Sequence, residues 1–130
     1  MSTRLNISSE AKWEDVVGYS RAVKIGNIIE ISGTTAVDEK GVVATGNTYE
    51  QAKFILEKIS KTLIEAGSSI SDVIRTRMYT TDITKWEDIA KAHSEYFGDI
   101  KPATSLVEVK KLIEPGMVIE IEATAVLSEI

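Results

Sequence analysis

Glu120 and Glu122 stand two residues apart in the run Val118-Ile119-Glu120-Ile121-Glu122-Ala123, so on a strand both carboxylates point to one side. Paired carboxylates can do acid–base work once a pocket encloses them and tunes their pKa values. Arg75 and Arg77 repeat the same spacing in a second β-rich run. They could clamp a carboxylate through bidentate hydrogen bonds; their simpler use is to neutralise the glutamates. The single His93, with the chain's serines and aspartates, formally permits a Ser-His-Asp arrangement. No serine lies in a nucleophile-elbow context, however. His93 itself falls on the apolar stripe of a helical pattern, the place of a packed structural histidine. One histidine and no cysteine exclude disulfides, thiolate zinc sites, iron–sulfur clusters and any metal site needing two histidines. The glycines fit neither the dinucleotide fingerprint nor the Walker pattern, so no cofactor is implied. Trp13 and Tyr19 could line an apolar pocket or pack at the edge of a core.

Two helices must position these groups. From Tyr49 to Ala66, the residues Ala52, Ile55, Leu56, Ile59, Leu63 and Ala66 fall on one face at helical spacing. Thr48 with Gln51 makes a capping box, Asn47 with Glu50 offers a second register, and Gly67 is the stop. The second helix opens at Thr84, with Glu87 three residues on, and closes at Gly98; its predicted stripe is Trp86, Ile89, Ala90, His93 and Phe97. The remainder reads as strands. Gly26-Asn27 joins strands near 19–25 and 28–33 as a hairpin. Val73–Thr81 is rich in β-branched residues, and Thr104–Lys110 pairs with Val118–Val126 across the Pro115-Gly116 turn. A short strand over Arg4–Ile7 comes first. Lys12-Trp13-Glu14-Asp15 recurs as Lys85-Trp86-Glu87-Asp88, with only the second copy in a helical pattern. The order predicts an α+β sheet with both helices on one face.

Splitting each strand by alternation puts Arg75, Arg77, Tyr79, Leu106, Glu108, Val118, Glu120 and Glu122 on the face away from the helices. Such a face is either the solvated side of an antiparallel sheet or a charge lattice facing another subunit. Both readings stand at this point.

The chain of 130 residues fits one domain. Apolar residues make up 43% and charged residues 27%, a globular balance with no long uncharged apolar run for a membrane and no signal-peptide core. The chain therefore reads as cytoplasmic. Fifteen Lys and Arg against twenty Asp and Glu give a formal net charge of −5, which disfavours nucleic acid as the main partner.

Several of these motifs, in this order, resemble the RidA family, also called YjgF-like or L-PSP endoribonuclease proteins. The shared features are Tyr19, the Gly26-Asn27 hairpin, Ser32-Gly33, and Pro102-Ala103-Thr104-Ser105-Leu106-Val107-Glu108-Val109 followed by Ile119-Glu120-Ile121-Glu122-Ala123. The resemblance spans nearly the whole chain. It implies one RidA-like domain over residues 1–130, a chorismate-mutase-like six-stranded sheet with two helices on one face, and a homotrimer with ligand clefts between subunits. The best-defined members hydrolyse reactive imines and enamines to 2-oxo acids and ammonia. By resemblance, Glu120 is the water-positioning glutamate, Leu106 supplies the assisting carbonyl, Tyr19 is the pocket tyrosine and Gly33 lines the cleft. The arginine that holds the substrate carboxylate falls on Thr104, whose hydroxyl cannot replace a bidentate cation. The usual Asn and Tyr of the second helix appear as Ala90 and His93. Arg21 or Arg77 is then the candidate substitute clamp.

The expected function is a small-molecule cleft between subunits, acting as an imine or enamine deaminase of altered specificity or as a metabolite binder without turnover. The alternative is an endoribonuclease or translation inhibitor, as the older family name suggests. A structural or chaperone-like trimer is the third class. Strongly salt-dependent RNA affinity would mark the nuclease, and a collapsed cleft the structural protein.

Overall fold

Gly26 takes a φ of 60°, a value open to glycine at little strain, and so reverses the chain between two apolar strands. This hairpin anchors one half of the sheet. The structure is a computed structural model and describes residues 3–128; Met1, Ser2, Glu129 and Ile130 lie outside it. The elements run β1 (Arg4–Ile7), α1 (Lys12–Val17), β2 (Ala22–Ile25), β3 (Ile28–Thr35), β4 (Val37–Asp38), β5 (Gly41–Val42), α2 (Thr48–Glu65), β6 (Val73–Thr80), α3 (Trp86–Phe97), β7 (Ala103–Glu108) and β8 (Ile119–Val126). Six strands form one sheet in the order β1-β2-β3-β8-β6-β7, all antiparallel except β6 with β7. Both long helices cover one face, as the α+β reading predicts. Among the described residues no helix is long and apolar enough to cross a membrane.

The core follows from two periodicities. Along α2, Ala52, Ile55, Leu56, Ile59 and Leu63 are buried at helical spacing; along β8, Ile119, Ile121, Ala123 and Ala125 are buried at every second residue. Each large aliphatic side chain removed from water there contributes about 1.5–3 kcal/mol. Of the two caps open to α2, the Asn47 register is the one formed: the Glu50 backbone N–H donates to Asn47 Oδ1 at 3.1 Å. Gln51 is freed from capping and is fully buried. Its amide donates to the Gly116 carbonyl at 2.8 Å and its Oε1 accepts from Val118 N–H at 3.0 Å. It thereby pins the loop that leads into β8.

Five other expectations change. The first Lys-Trp-Glu-Asp copy is helical too, forming α1; six residues are too short to display a period. On α3, Trp86 and Ala90 are exposed while Ile89, Ala92 and Phe97 are buried, so its covered face centres nearer Ile89. The strands β7 and β8 do not pair. β8 already has β3 and β6 as neighbours, and β7 lies parallel to β6 after the α3 crossover. Pro115-Gly116 does make a turn, with Met117 N–H donating to the Glu114 carbonyl, but inside a long connection. A register shift between Val73 and Arg75 buries Val73 and leaves Ile74 exposed. Finally, Thr104, Leu106 and Glu108 lie opposite Thr76, Met78 and Thr80, so they share the helix-covered side. Glu108 is off the charged face and instead accepts from Ile83 N–H at 2.9 Å.

Gln51→Ala leaves the Val118 N–H and the Gly116 carbonyl without their side-chain partner, a loss of about 2–4 kcal/mol. Urea titration should show a lower midpoint with an unchanged slope. A midpoint equal to wild type would show that Gln51 pins nothing.

Candidate functional site

The strand β3 carries a bulge: its register with β8 shifts between Ile31 and Thr34. A bulge bends the strand and re-aims its groups. Here Ser32 N–H donates to the Arg21 carbonyl at 3.0 Å and Ser32 Oγ donates to the Ser20 carbonyl at 2.6 Å. The next residue, Gly33, is approached from two directions. Arg21 Nη2 donates to its carbonyl at 2.6 Å. Glu120 Oε2 sits where a side chain would begin, since a Cβ on Gly33 would lie 1.9 Å from it. Any side chain at residue 33 would displace that carboxylate from this position. The Tyr19 ring lies 5.9 Å from the Arg21 guanidinium carbon. An open cleft of about 510 Å³ adjoins these groups, lined by Arg4, Asn6, Asp15, Tyr19 and Ser32 among others. Glu120, Gly33 and Arg21 are not in its wall, and neither is Trp13, so the apolar Trp13–Tyr19 pocket does not form.

Burial raises the Glu120 carboxyl above the usual carboxylate range; the charge of Glu122 adds to this and Arg21 opposes it. Such a group can take up and return a proton closer to neutral pH than an exposed glutamate. Burial lowers the Arg21 pKa, against the opposing pull of Tyr19, Glu14 and Glu120, but a guanidinium keeps its charge in a protein. Glu122 has a different setting. It sits 3.9 Å from Arg77 and accepts from the Tyr79 hydroxyl at 3.1 Å. With those two charged side chains 43% and 33% exposed, the pair is worth about 0–1 kcal/mol.

Thr104 and Leu106 lie elsewhere. Thr104 Oγ1 shares a 2.6 Å hydrogen bond with Thr76 Oγ1, which shares another of 2.9 Å with His93 Nε2. Thr76 is fully buried, and the His93 ring packs 4.8 Å from that of Phe97. Burial holds the His93 pKa below its ordinary value, as befits a packed imidazole. Leu106 packs against the core. Two strand spacings and three residues separate Thr104 from Glu120, about 14 Å, and the two side chains leave opposite faces of the sheet. The structure thus brings Tyr19, Gly33 and Glu120 together and leaves Thr104 and Leu106 apart from them. Sequence reasoning missed Thr76, although a threonine in the apolar phase of β6 is a visible signal. Among the described residues no three His, Asp or Glu converge as a metal site.

Comparison with known proteins gives consistent results. The sequence profile described as Endoribonuclease L-PSP matches residues 10–127. A RutC family protein of Pyrococcus abyssi is 40% identical over 108 residues, covering 82% of this chain and 84% of its own. A protein named 3-aminoacrylate deaminase RutC, from Acinetobacter baylyi, is 34% identical over 108 residues, covering 82% and 85%. A solved Mycobacterium tuberculosis structure, described as a member of the YjgF/YER057c/UK114 family, superposes with a TM-score of 0.88. It is 41% identical and covers 96% of this chain and 100% of its own.

A folded-state pKa above the unfolded one means that the folded protein binds the proton more tightly. The stability this contributes is present at low pH and lost as pH rises from the ordinary glutamate value through the raised value. Glu120→Gln removes that dependence. Urea melts from about pH 4 to about pH 8 should show the variant gaining on wild type as pH rises. A constant difference across the range would mean that Glu120 titrates like an exposed glutamate.

Proposed function

The chain belongs to the endoribonuclease L-PSP family, and from that premise we propose that it is a trimer whose intersubunit cleft hydrolyses a small imine or enamine to a carbonyl compound and ammonia. The observation that carries this reading is the Glu120 carboxylate, held against Gly33 and raised in pKa by burial. In the reaction Glu120 orients a water and accepts its proton as the oxygen attacks the imine carbon. It returns that proton to nitrogen to give a carbinolamine, then passes the hydroxyl proton to the same nitrogen as the C=O bond forms, the C–N bond breaks and ammonia leaves. Similarity to a relative named as a 3-aminoacrylate deaminase supports the same class of chemistry.

Two features favour assembly. Tyr19, Gly33 and Glu120 form one half of a site, while Thr104 and Leu106 lie about 14 and 10 Å away on the other side of the sheet, so a cleft using both sets needs a second copy of the chain. The sheet face away from the helices also leaves Ile25, Ile28 and Val107 exposed by 43–49%, beside charges already partnered within the chain. An endoribonuclease reading has less support: the only histidine is engaged with Thr76 and Phe97, and the net charge is −5.

Light scattering at micromolar concentration should report a mass near three chains. In an assay where an amino-acid dehydratase supplies imines, Glu120→Gln should slow hydrolysis by about 100-fold or more while the trimer persists. Glu122→Gln, at the Arg77–Tyr79 cluster, should change the rate little. A clean monomer, or equal loss from both changes, would refute the reading.

A further inference from the structure

We propose that the groove between α2 and α3, on the helix layer and apart from Glu120, binds a small organic cation: a primary ammonium carried on a short apolar stem. This is independent of the hydrolase reading.

Glu50, Lys53, Phe54 and Glu57 repeat at three- and four-residue spacing along α2, so they share one side of the helix. Tyr96 of α3, together with Val43 and Ala44 at the end of β5, closes a cleft of about 320 Å³ against that side. Such a volume suits a small molecule. Val43, Ala44 and the two rings give it apolar walls, and the Glu50 and Glu57 carboxylates charge its rim. The wall opposite α2 is fixed in advance. The Gln51 amide donates to the Val43 and Ala44 carbonyls at 3.1 and 3.3 Å, and Asn47 N–H donates to the Ala44 carbonyl at 2.8 Å. A preformed wall spares a ligand the cost of ordering it.

The lysines of this layer do not neutralise the rim. Among the described residues the only ion pair within 4.0 Å is Arg77 with Glu122. Lys53 turns its ammonium to the Tyr49 ring, 5.5 Å away, and Lys91 approaches the same ring at 4.6 Å. The Tyr49 hydroxyl donates to Glu95 at 2.7 Å, so both lysines serve that neighbouring cluster. Phe54 has the Lys58 ammonium 5.7 Å from its ring centre. Tyr96 differs from both. Its hydroxyl donates to Glu57 Oε2 at 2.9 Å, yet no cation of the described residues lies over its ring. Burial, the hydrogen bond to Glu57 and the charges of Glu57 and Glu95 raise its pKa to about 12. Surroundings that hold a proton so firmly also favour a positive ligand. An ammonium here meets an aromatic face and a carboxylate at once, while its stem covers Phe54 and Val43. An anion would face two glutamates, and a neutral alcohol would gain apolar contact alone. Both carboxylates are exposed, which keeps the attraction modest.

The test is an NMR titration of the full-length protein at constant ionic strength with n-butylammonium, 1-butanol and butanoate. The backbone amides of Val43, Ala44 and Phe54 report on the cleft. The ammonium should bind about fivefold or more tighter than the alcohol, and butanoate should leave those amides unmoved. Glu57→Gln should abolish the preference by weakening the ammonium alone. Glu65→Gln removes the same charge from the same helix two turns further on and should keep the preference. Tyr96→Phe retains the ring and should keep most of it, whereas Tyr96→Leu should lose it. Should Tyr96→Leu fail to fold, the Glu57→Gln and Glu65→Gln pair decides. Equal affinity for ammonium and alcohol would mark an apolar groove without charge selection and overturn the proposal. So would a preference that survives Glu57→Gln, an equal loss in Glu65→Gln, or amides that the ammonium does not shift.

Discussion

The space beneath Glu120 exists because residue 33 has no side chain. A Cβ there would overlap the carboxylate, and Gly33 stands under it within the bulge of β3 between Ile31 and Thr34. The same displaced segment turns the Gly33 carbonyl toward Arg21 and ties Ser32 to the β2 approach. An acid and a cation are thus set around one peptide, acting on each other through space but without a direct ion pair. The bulge gives the site its spacing, and the rigid sheet behind it maintains that spacing.

That sheet is rigid because its other face is dry. β8 is paired on both sides and buries every second residue under α2, so Glu120 projects from the best-anchored strand in the molecule. Gln51 secures the entry to that strand by bonding the chain on both sides of Met117. Strain placed on the carboxylate by a ligand would meet a backbone held by hydrogen bonds and close packing alike. The elements that carry Thr104 are less enclosed: β7 is an edge strand with one partner, anchored at this point through the Thr104–Thr76–His93 chain.

Edge position and charge pairing also make sense of the exposed face. The Arg77–Glu122–Tyr79 cluster and the Thr124 to Glu30 hydrogen bond leave few bare charges there, so covering that face removes apolar surface from water at a modest desolvation penalty. A lone buried arginine beside it is different in kind. Arg21 is held by the Gly33 carbonyl and feels Tyr19, Glu14 and Glu120 without a direct ion pair to any of them.

Much of this was legible in the chain. The α2 stripe, the Gly26 hairpin, the alternation of β8 and the closeness of Tyr19, Gly33 and Glu120 all follow from local periodicity, turn chemistry and motif resemblance. Periodicity records which side of an element is apolar, and that depends on the element's own residues. It does not record which strand lies alongside. The place of β7 beside β6, the phase that turns Thr104 and Glu108 to the helix side, and the bulges at Val73 and Ser32–Gly33 were decided by competition for hydrogen bonds between strands far apart in sequence. The burial of Arg21 against the Gly33 carbonyl was settled the same way. Any arginine two residues after a tyrosine reads as a surface cation until the folded sheet shows what surrounds it, because desolvation is a property of the packed environment and not of the residue.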